Sequence, residues 1–192
     1  MPTNNGDGCG ESEIYNALGG IYREIGDDPT ALTYFIKSLD LKKKLRFDHN
    51  LGLVYNNIGL IYFSQDKINL SLEYFEKGLE INNKQENKSG QSTCLLNIAG
   101  VYFRRKQYKL AKKYTLDGLR RSKDSLNKDI ESRIYVLFGQ ISITENSYTK
   151  SKDSIEKGFN IAQNYGSKNA IKDALIAMRN IYKLMGINTQ NN

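Results

Sequence analysis

Residues 55–62 read Tyr-Asn-Asn-Ile-Gly-Leu-Ile-Tyr, and the pattern of this stretch returns every 40 residues along the 192-residue chain. We call the position of its glycine the glycine column, which contains Gly19, Gly59, Ala99, Gly139 and Arg179. The position two residues later is the isoleucine column, which contains Ile21, Ile61, Val101, Ile141 and Ile181. Several columns that keep one step are very hard to produce by chance, so the chain is predicted to be an array of internal repeats.

The apolar spacing inside each repeat is helical. Tyr15, Leu18 and Ile21 fall on one side of a helix with 3.6 residues per turn, and a second apolar stripe follows. Between the two stripes, Gly26 suits the end of one helix and Pro29 the first turn of the next. Each repeat is therefore predicted to be an antiparallel pair of helices. The small residue of the glycine column is expected where the two helices cross, because it lets the backbones approach.

These signals predict an all-α solenoid of antiparallel helix pairs over residues 11–186, with about nine helices. The predicted pairs are 11–25 with 28–46, 49–64 with 67–83, 89–105 with 108–124, and 129–145 with 148–165. The corresponding units are 11–47, 48–86, 87–126 and 127–166. A last helix is predicted at 168–185, either as a solvating cap or as part of a longer array. Residues 1–10 are predicted to be a flexible leader and 187–192 a polar tail.

The repeated motif resembles a known family. Residues 15–22 read Tyr-x2-Leu-Gly-x2-Tyr and residues 31–35 read Ala-x3-Phe, which is similar to the signature of the tetratricopeptide repeat. Further copies begin at Tyr55 and Leu95, and a fourth has Ser142 in place of the tyrosine. The period is 40 residues rather than 34, and the closing proline is missing. Repeats of this length resemble those of peptide-sensing regulators of Gram-positive bacteria and of bacterial sensory proteins.

The resemblance implies a right-handed superhelix in which the first helix of each pair lines a concave groove. Carried over position by position, it implies that the groove contains Asn16, Arg23, Asn56, Asn57, Phe63, Asn97, Phe103, Arg104, Gln140, Asn180 and Lys183. An asparagine amide both donates and accepts, so it can bind the backbone of an extended peptide without reading the peptide's side chains. Asn57 and Asn97 share one column and are expected to hold successive parts of a peptide. The alternative is that these asparagines bridge neighbouring helices.

The positive charge is concentrated in one repeat. Residues 104–123 contain nine Lys and Arg but only one acidic residue, within a chain of net charge +7. The basic patch consists of Arg105, Lys109, Lys112, Lys113, Arg120 and Arg121. Such a patch attracts an acidic partner or nucleic acid. However, most of it falls on a second helix, where a run of charge is usually a solvated face. An acidic partner is the stronger of the two expectations.

Composition argues against several functional classes. A single His, and two Cys that are 85 positions apart, make neither a multi-ligand metal site nor a disulfide framework. No nucleophile and base stand in a catalytic spacing, so no enzyme activity, catalytic residue or cofactor is expected. No apolar run reaches the ~20 residues of a membrane helix. Without a signal segment the default compartment is the cytoplasm, and a sensor region outside the membrane is the alternative.

The function expected from these observations is a non-catalytic, regulatory or sensory scaffold that binds a protein or peptide. Two alternatives stay open. In one, the chain is a structural solenoid that self-associates through its terminal helix. In the other, the basic patch binds an acidic partner or, less favoured, nucleic acid.

Overall fold

The computed structural model describes residues 5–186 of the chain, and the side chains from residue 8 onward. These residues form nine α-helices and no strand. The helices are α1 Asn5–Glu24, α2 Asp28–Leu45, α3 Leu51–Ser64, α4 Ile68–Lys84, α5 Lys88–Arg104, α6 Tyr108–Asp124, α7 Lys128–Thr144, α8 Tyr148–Tyr165 and α9 Lys168–Leu184. Among the described residues, no helix is both long enough and apolar enough to cross a membrane. The predicted all-α array of helix pairs is confirmed.

The links between helices repeat as regularly as the helices do. At the turn inside each pair, one residue adopts a positive φ, and these residues are Gly26, Asp66, Lys106 and Asn146. The links between pairs place Arg46, Glu86, Leu126 and Gly166 in the same left-handed region. A left-handed residue directs the chain back at the end of a helix. Glycine occupies only some of these positions, so the residue types do not show that each link contains a left-handed residue.

The chain divides into two compact units, Met1–Gly90 and Gln91–Asn192. In the first unit, α1 packs on α2 and α3 packs on α4. A Cβ atom at Gly59 would lie 2.6 Å from the ring of Phe75, and one at Gly19 would lie equally close to Phe35. The glycine column therefore marks the helix crossings, as the sequence predicted. Tyr22 stacks on Tyr34 beside one crossing, with 5.4 Å between ring centroids.

The second unit repeats this construction with different residues. A Cβ at Gly139 would lie 2.4 Å from Ile155, so α7 and α8 cross closely. Ser132 of α7 donates a 2.8 Å hydrogen bond to the carbonyl of Gly158 on α8. Ala174 and Ile181 of α9 are buried in one core cluster with Ile155 of α8. The last helix thus covers the preceding pair.

The structure differs from the prediction at the beginning of the chain. The predicted leader 1–10 is helical from Asn5, because the first turns of α1 pack on the end of α2. A Cβ at Gly8 would lie 2.8 Å from a methyl group of Leu45. This glycine therefore serves close packing rather than flexibility. Residues 1–4 and the predicted tail 187–192 lie outside the described part of the chain.

A second difference concerns Ile21, which the helical spacing placed on the packed stripe of α1. Ile21 is 56% exposed, whereas Ile61 in the same column is fully buried. The repeat pattern predicts the same degree of burial for every residue of a column. The actual environment depends on whether another helix lies on that face.

Candidate functional site

The clearest polar contact between the predicted groove residues joins α1 and α3 in the first unit. The Nδ2 atom of Asn57 donates a hydrogen bond of 3.2 Å to Oδ1 of Asn16. Both side chains are half-buried. They come from successive first helices, which are in contact along this face. The sequence is compatible with asparagines that face a ligand and with asparagines that bridge helices, and this bond shows that Asn57 does bridge helices.

Other predicted groove residues of the first unit have unequal access to solvent. Asn56 is only 4% exposed, so it lies beneath the surface rather than on it. Arg23 and Phe63 are half-buried. Gly20 lies one helical turn beyond Asn16, and a Cβ built on it meets nothing within 4 Å. The α1 side of this face is therefore open at Gly20, between Asn16 and Arg23.

In the second unit the predicted residues are spread over three helices. Asn97 is half-buried on α5, and Arg104 is exposed at the end of that helix. The ring of Phe103 lies 5.6 Å from that of Tyr108, so Phe103 packs on the first residue of α6. Gln140 on α7 is half-buried, whereas α9 contributes exposed side chains, which are Asn180 and Lys183.

The basic patch lies mainly on α6 and is partly neutralised. Lys112 forms an ion pair with Glu145 at 2.7 Å, and Arg120 lies 3.5 Å from Asp117. Lys109 and Lys113 are exposed, and Arg121 is half-buried. Arg105 follows α5 and lies over the ring of Tyr102 at 5.9 Å. The structure thus places five of the six predicted residues on one helix.

Charge is divided unequally between the two units. Residues 1–90 contain 10 Lys and Arg against 13 Asp and Glu, whereas residues 91–192 contain 18 against 8. The first unit is therefore slightly acidic and the second strongly basic. An acidic ligand would therefore be attracted more strongly to the second unit than to the first.

Two features near the site have no signal in the sequence. Lys42 is fully buried, with its Nζ atom 2.6 Å from Glu13 and 2.7 Å from the carbonyl oxygen of His49. A lysine in a charged run gave no sign of burial. The other feature is a hydrogen bond from Tyr15 to Glu11, which raises the pKa of the Tyr15 hydroxyl. Across the side chains that the structure describes, no three His, Cys, Asp or Glu residues are grouped closely enough to hold a metal ion.

Comparison with known proteins places this geometry in a family. The tetratricopeptide repeat family model matches residues 10–84 and again 50–124. No curated protein sequence matches the chain significantly.

Among solved structures, a Rap protein complexed with competence and sporulation factor is similar, with a TM-score of 0.81 and 15% identity over 92% of this chain and 49% of that chain. The Rap conjugation gene regulator of plasmid pLS20, in complex with the Phr* peptide, has a TM-score of 0.80 and 14% identity over 93% and 50%. Aspartyl phosphate phosphatase F from Bacillus subtilis has a TM-score of 0.77 and 13% identity over 93% and 50%.

At these identities the likeness concerns the fold, and the chain spans about half the length of these three structures. The family match extends over more than half of the chain, across three of the repeats that the columns define. The chain belongs to the tetratricopeptide repeat family.

Proposed function

We propose that the chain is a regulatory module that binds an extended peptide along the face formed by the first helices of its pairs. The observation that carries this proposal is the hydrogen bond between Asn16 and Asn57 in the first unit. The bond joins two half-buried amides on a face where Gly20 leaves open space.

The bonding capacity of the two amides supports this role. The contact uses one donor of Asn57 and one acceptor site of Asn16. An amide has two donors and a carbonyl with two lone pairs, so the pair keeps both a donor and an acceptor. These are complementary to the C=O and N–H of a peptide group. The hydrogen bond from Asn57 to Asn16 also holds both side chains in place before a peptide binds, which lowers the entropy lost on binding.

The surroundings of the amide pair favour an extended backbone as the ligand. Gly20 presents no side chain, so a bound chain can approach α1 closely. Arg23 lies one turn from Gly19 on α1 and is half-buried, so its guanidinium can pair with an acidic side chain or a terminal carboxylate. The groove residues predicted for the second unit, including Asn97, Gln140 and Asn180, are proposed to bind a peptide within that unit by itself.

The similar structures support the same reading. One of them is described as a complex with the Phr* peptide and another as a complex with competence and sporulation factor. A third is described as an aspartyl phosphate phosphatase. Our proposal assigns binding, not catalysis, to this chain. Release of phosphate from an aspartyl-phosphate protein by the purified chain would contradict that part of it.

The proposal is tested by selecting peptides from a random displayed library against the purified chain. The selected peptides are then titrated against wild type, Asn57→Ala and Asn83→Ala. Asn83 is an exposed asparagine on α4 and serves as the matched control. We expect Asn57→Ala to weaken binding at least tenfold and Asn83→Ala to leave it unchanged. Equal binding by all three proteins, or selection of no peptide, would overturn the proposal.

The charge of the second unit favours one alternative, which is an acidic partner bound to the basic patch on α6. The exposed Lys109 and Lys113 are its accessible members. Binding through this patch would fall steeply with salt and would be lost on Lys109→Glu/Lys113→Glu, while Asn57→Ala would have no effect. Nucleic acid is distinguished by adding DNA and RNA under the same salt series.

A further inference from the structure

The outward face of α1 is apolar and exposed, although the same face is buried in other first helices. Ile14 is 60% exposed and Ile21 56%. The equivalent positions in the later first helices, which follow at steps of 40 residues in α3, α5, α7 and α9, are buried. In α3, α7 and α9 their exposures are Val54 0%, Ile61 0%, Ile134 0%, Ile141 1%, Ala174 0% and Ile181 0%.

The difference has a simple structural cause. In the first unit, α2 covers α3, and Leu39 and Leu32 of α2 belong to the core cluster that contains Val54 and Ile61. In the second unit, α6 covers α7 and α8 covers α9. This face of a first helix is thus the surface on which the second helix of the preceding pair packs. Among the described helices, those in contact with α1 are α2 and α3, and Ile14 and Ile21 stay exposed beside them.

The exposed residues form a continuous stripe. Ile14 and Ile21 are seven residues apart on one side of α1, and Ile25 follows the helix with its N–H bonded to the carbonyl of Ile21, so it continues the same side. Ile25 is 70% exposed. Large apolar side chains in one exposed stripe mark an interaction surface, whereas single ones are ordinary. Ala17, also exposed, lies between them and lets a partner approach closely.

The charges beside the stripe are negative. Glu11 and Glu24 are exposed and lie on its two edges by helical position. Arg23 is the only Lys or Arg of α1 and stands two residues from Ile21, on the other side of the helix. The isoleucine stripe is therefore flanked by carboxylates without a neighbouring cation on the same helix face.

This charge pattern disfavours a second copy of the chain as the occupant. An antiparallel pairing of two α1 helices that sets Ile14 against Ile21 also sets Glu11 against Glu24. Like charges placed opposite one another destabilise a helix pair and favour other partners. The pattern instead complements a helix that carries Lys or Arg beside its own apolar stripe.

We propose that the isoleucine face, formed by Ile14 and Ile21 of α1 and by Ile25 directly after that helix, docks a basic amphipathic helix in the position that a preceding second helix would occupy. The chain contains a suitable probe in α6, whose partner face on α7 presents Ile134 and Ile141 in the same columns as Ile14 and Ile21. Residues 108–124 also contain six Lys and Arg against two Asp.

The test uses a labelled synthetic peptide of residues 108–124 and the full-length chain, with binding followed by fluorescence anisotropy. We expect the wild-type chain to bind, and Ile14→Ser/Ile21→Ser to bind at least tenfold more weakly. Because both isoleucines are exposed, circular dichroism should show this variant to be folded. Leu175→Ser/Leu184→Ser is the matched control, since these α9 leucines are 50% and 54% exposed. It should bind within twofold of wild type, as should Asn57→Ala.

Several results would overturn the proposal. One is no binding of the peptide by the wild-type chain, and another is loss of binding only in the α9 control variant. Equal binding of a peptide in which the six basic residues are replaced by Glu would refute a basic occupant. Sedimentation showing a wild-type dimer that Ile14→Ser/Ile21→Ser dissociates would identify a second copy instead. Asn57→Ala tests the groove separately, so failure of either proposal leaves the other standing.

Discussion

Helices α1 and α3 present the same sequence pattern to opposite environments. Each contains a glycine at its crossing with the following helix and an isoleucine two residues later. In α3 the isoleucine is fully buried, because α2 lies on that face, whereas in α1 it is more than half exposed. The sequence of a repeat therefore determines which face of its first helix another helix can pack on. The neighbouring repeat determines whether it is covered.

The largest expected effect comes from truncating this pair of isoleucines. Ile61→Ala removes buried methyl and methylene groups and leaves a cavity, so we expect it to lower the free energy of unfolding by about 2–5 kcal/mol. Ile21→Ala removes exposed atoms and should change it by no more than about 0.5 kcal/mol. Urea unfolding of both variants measures the difference. Similar losses in both would show that the face of α1 is covered in solution.

The second comparison concerns two ion pairs of the first unit. Lys42 is fully buried, and Glu13 is one-third exposed. Glu13→Gln leaves the buried ammonium without its counter-charge and should cost about 1.5–3 kcal/mol, toward the lower end because water reaches Glu13. Lys42→Met removes the charge together with its need for a partner, so it should cost less. Glu80→Gln, in an exposed pair with Lys84, should leave the unfolding curve unchanged.

A larger loss in Lys42→Met than in Glu13→Gln would contradict this account. It would mean that the hydrogen bond from Lys42 to the His49 carbonyl stabilises the link after α2 more than the ion pair does.

The third comparison places one substitution at two helical glycines. A Cβ at Gly59 would lie 2.6 Å from the buried ring of Phe75, so Gly59→Ala should cost about 1–3 kcal/mol through overpacking. A Cβ at Gly100 meets nothing within 4 Å, so Gly100→Ala should stabilise the helix by up to about 1 kcal/mol. Thermal unfolding of the two variants should therefore give shifts of opposite sign. A rise for both would show that the crossing relaxes at little cost.

The crossings also show how far the sequence predicted the fold. Gly19 faces Phe35 and Gly59 faces Phe75, so a large ring fills the space that each glycine leaves. In the next repeat Ala99 stands in the glycine column, and the smaller Thr115 stands 40 residues beyond Phe75. Both are fully buried. The columns were visible in the sequence because packing volume repeats with the same period as the helices.

What the columns could not predict depends on contacts outside the repeat unit. Ile21 matches its column in residue type, yet it is 56% exposed, and none of the helices between residues 5 and 186 buries it. The glycines near Cys9 looked like a flexible segment, because composition does not show that Leu45 packs against Gly8. Asn56 and Asn57 are adjacent in sequence, but one is buried and the other half-buried. The groove residues carried over from the family remain a prediction.

The fourth comparison uses the links between pairs. Leu126 and Gly166 occupy equivalent positions, with φ of 56° and 69°. A left-handed conformation costs a residue with a Cβ roughly 1–2 kcal/mol relative to glycine, although glycine also makes the unfolded chain more flexible. Leu126 is 76% exposed, so its side chain contributes little packing. Leu126→Gly should therefore stabilise the protein by about 0.5–1 kcal/mol, and Gly166→Leu should destabilise it in the same denaturant titration.

The smallest expected effect distinguishes the last helix from the first ones. Tyr22 and Tyr102 stack on a tyrosine of their own second helix, whereas Tyr182, in the same column, donates a 2.9 Å hydrogen bond to Glu156 of α8. This bond, with smaller contributions from burial and the carboxylate charge, raises the pKa of Tyr182. The folded state thus holds the phenolic proton more tightly than the unfolded state.

The contribution of this bond to stability should be fully present below the unfolded tyrosine pKa of about 10 and be lost as pH rises through the higher folded pKa. Tyr182→Phe removes the titrating group, so its stability should fall less steeply than that of wild type above pH ~10. Tyr165→Phe, at an exposed tyrosine of α8, is the control and should follow wild type. If Tyr182→Phe follows wild type as well, the bond to Glu156 does not hold α9 against α8, and the buried apolar residues of α9, among them Ala174 and Ile181, account for that contact.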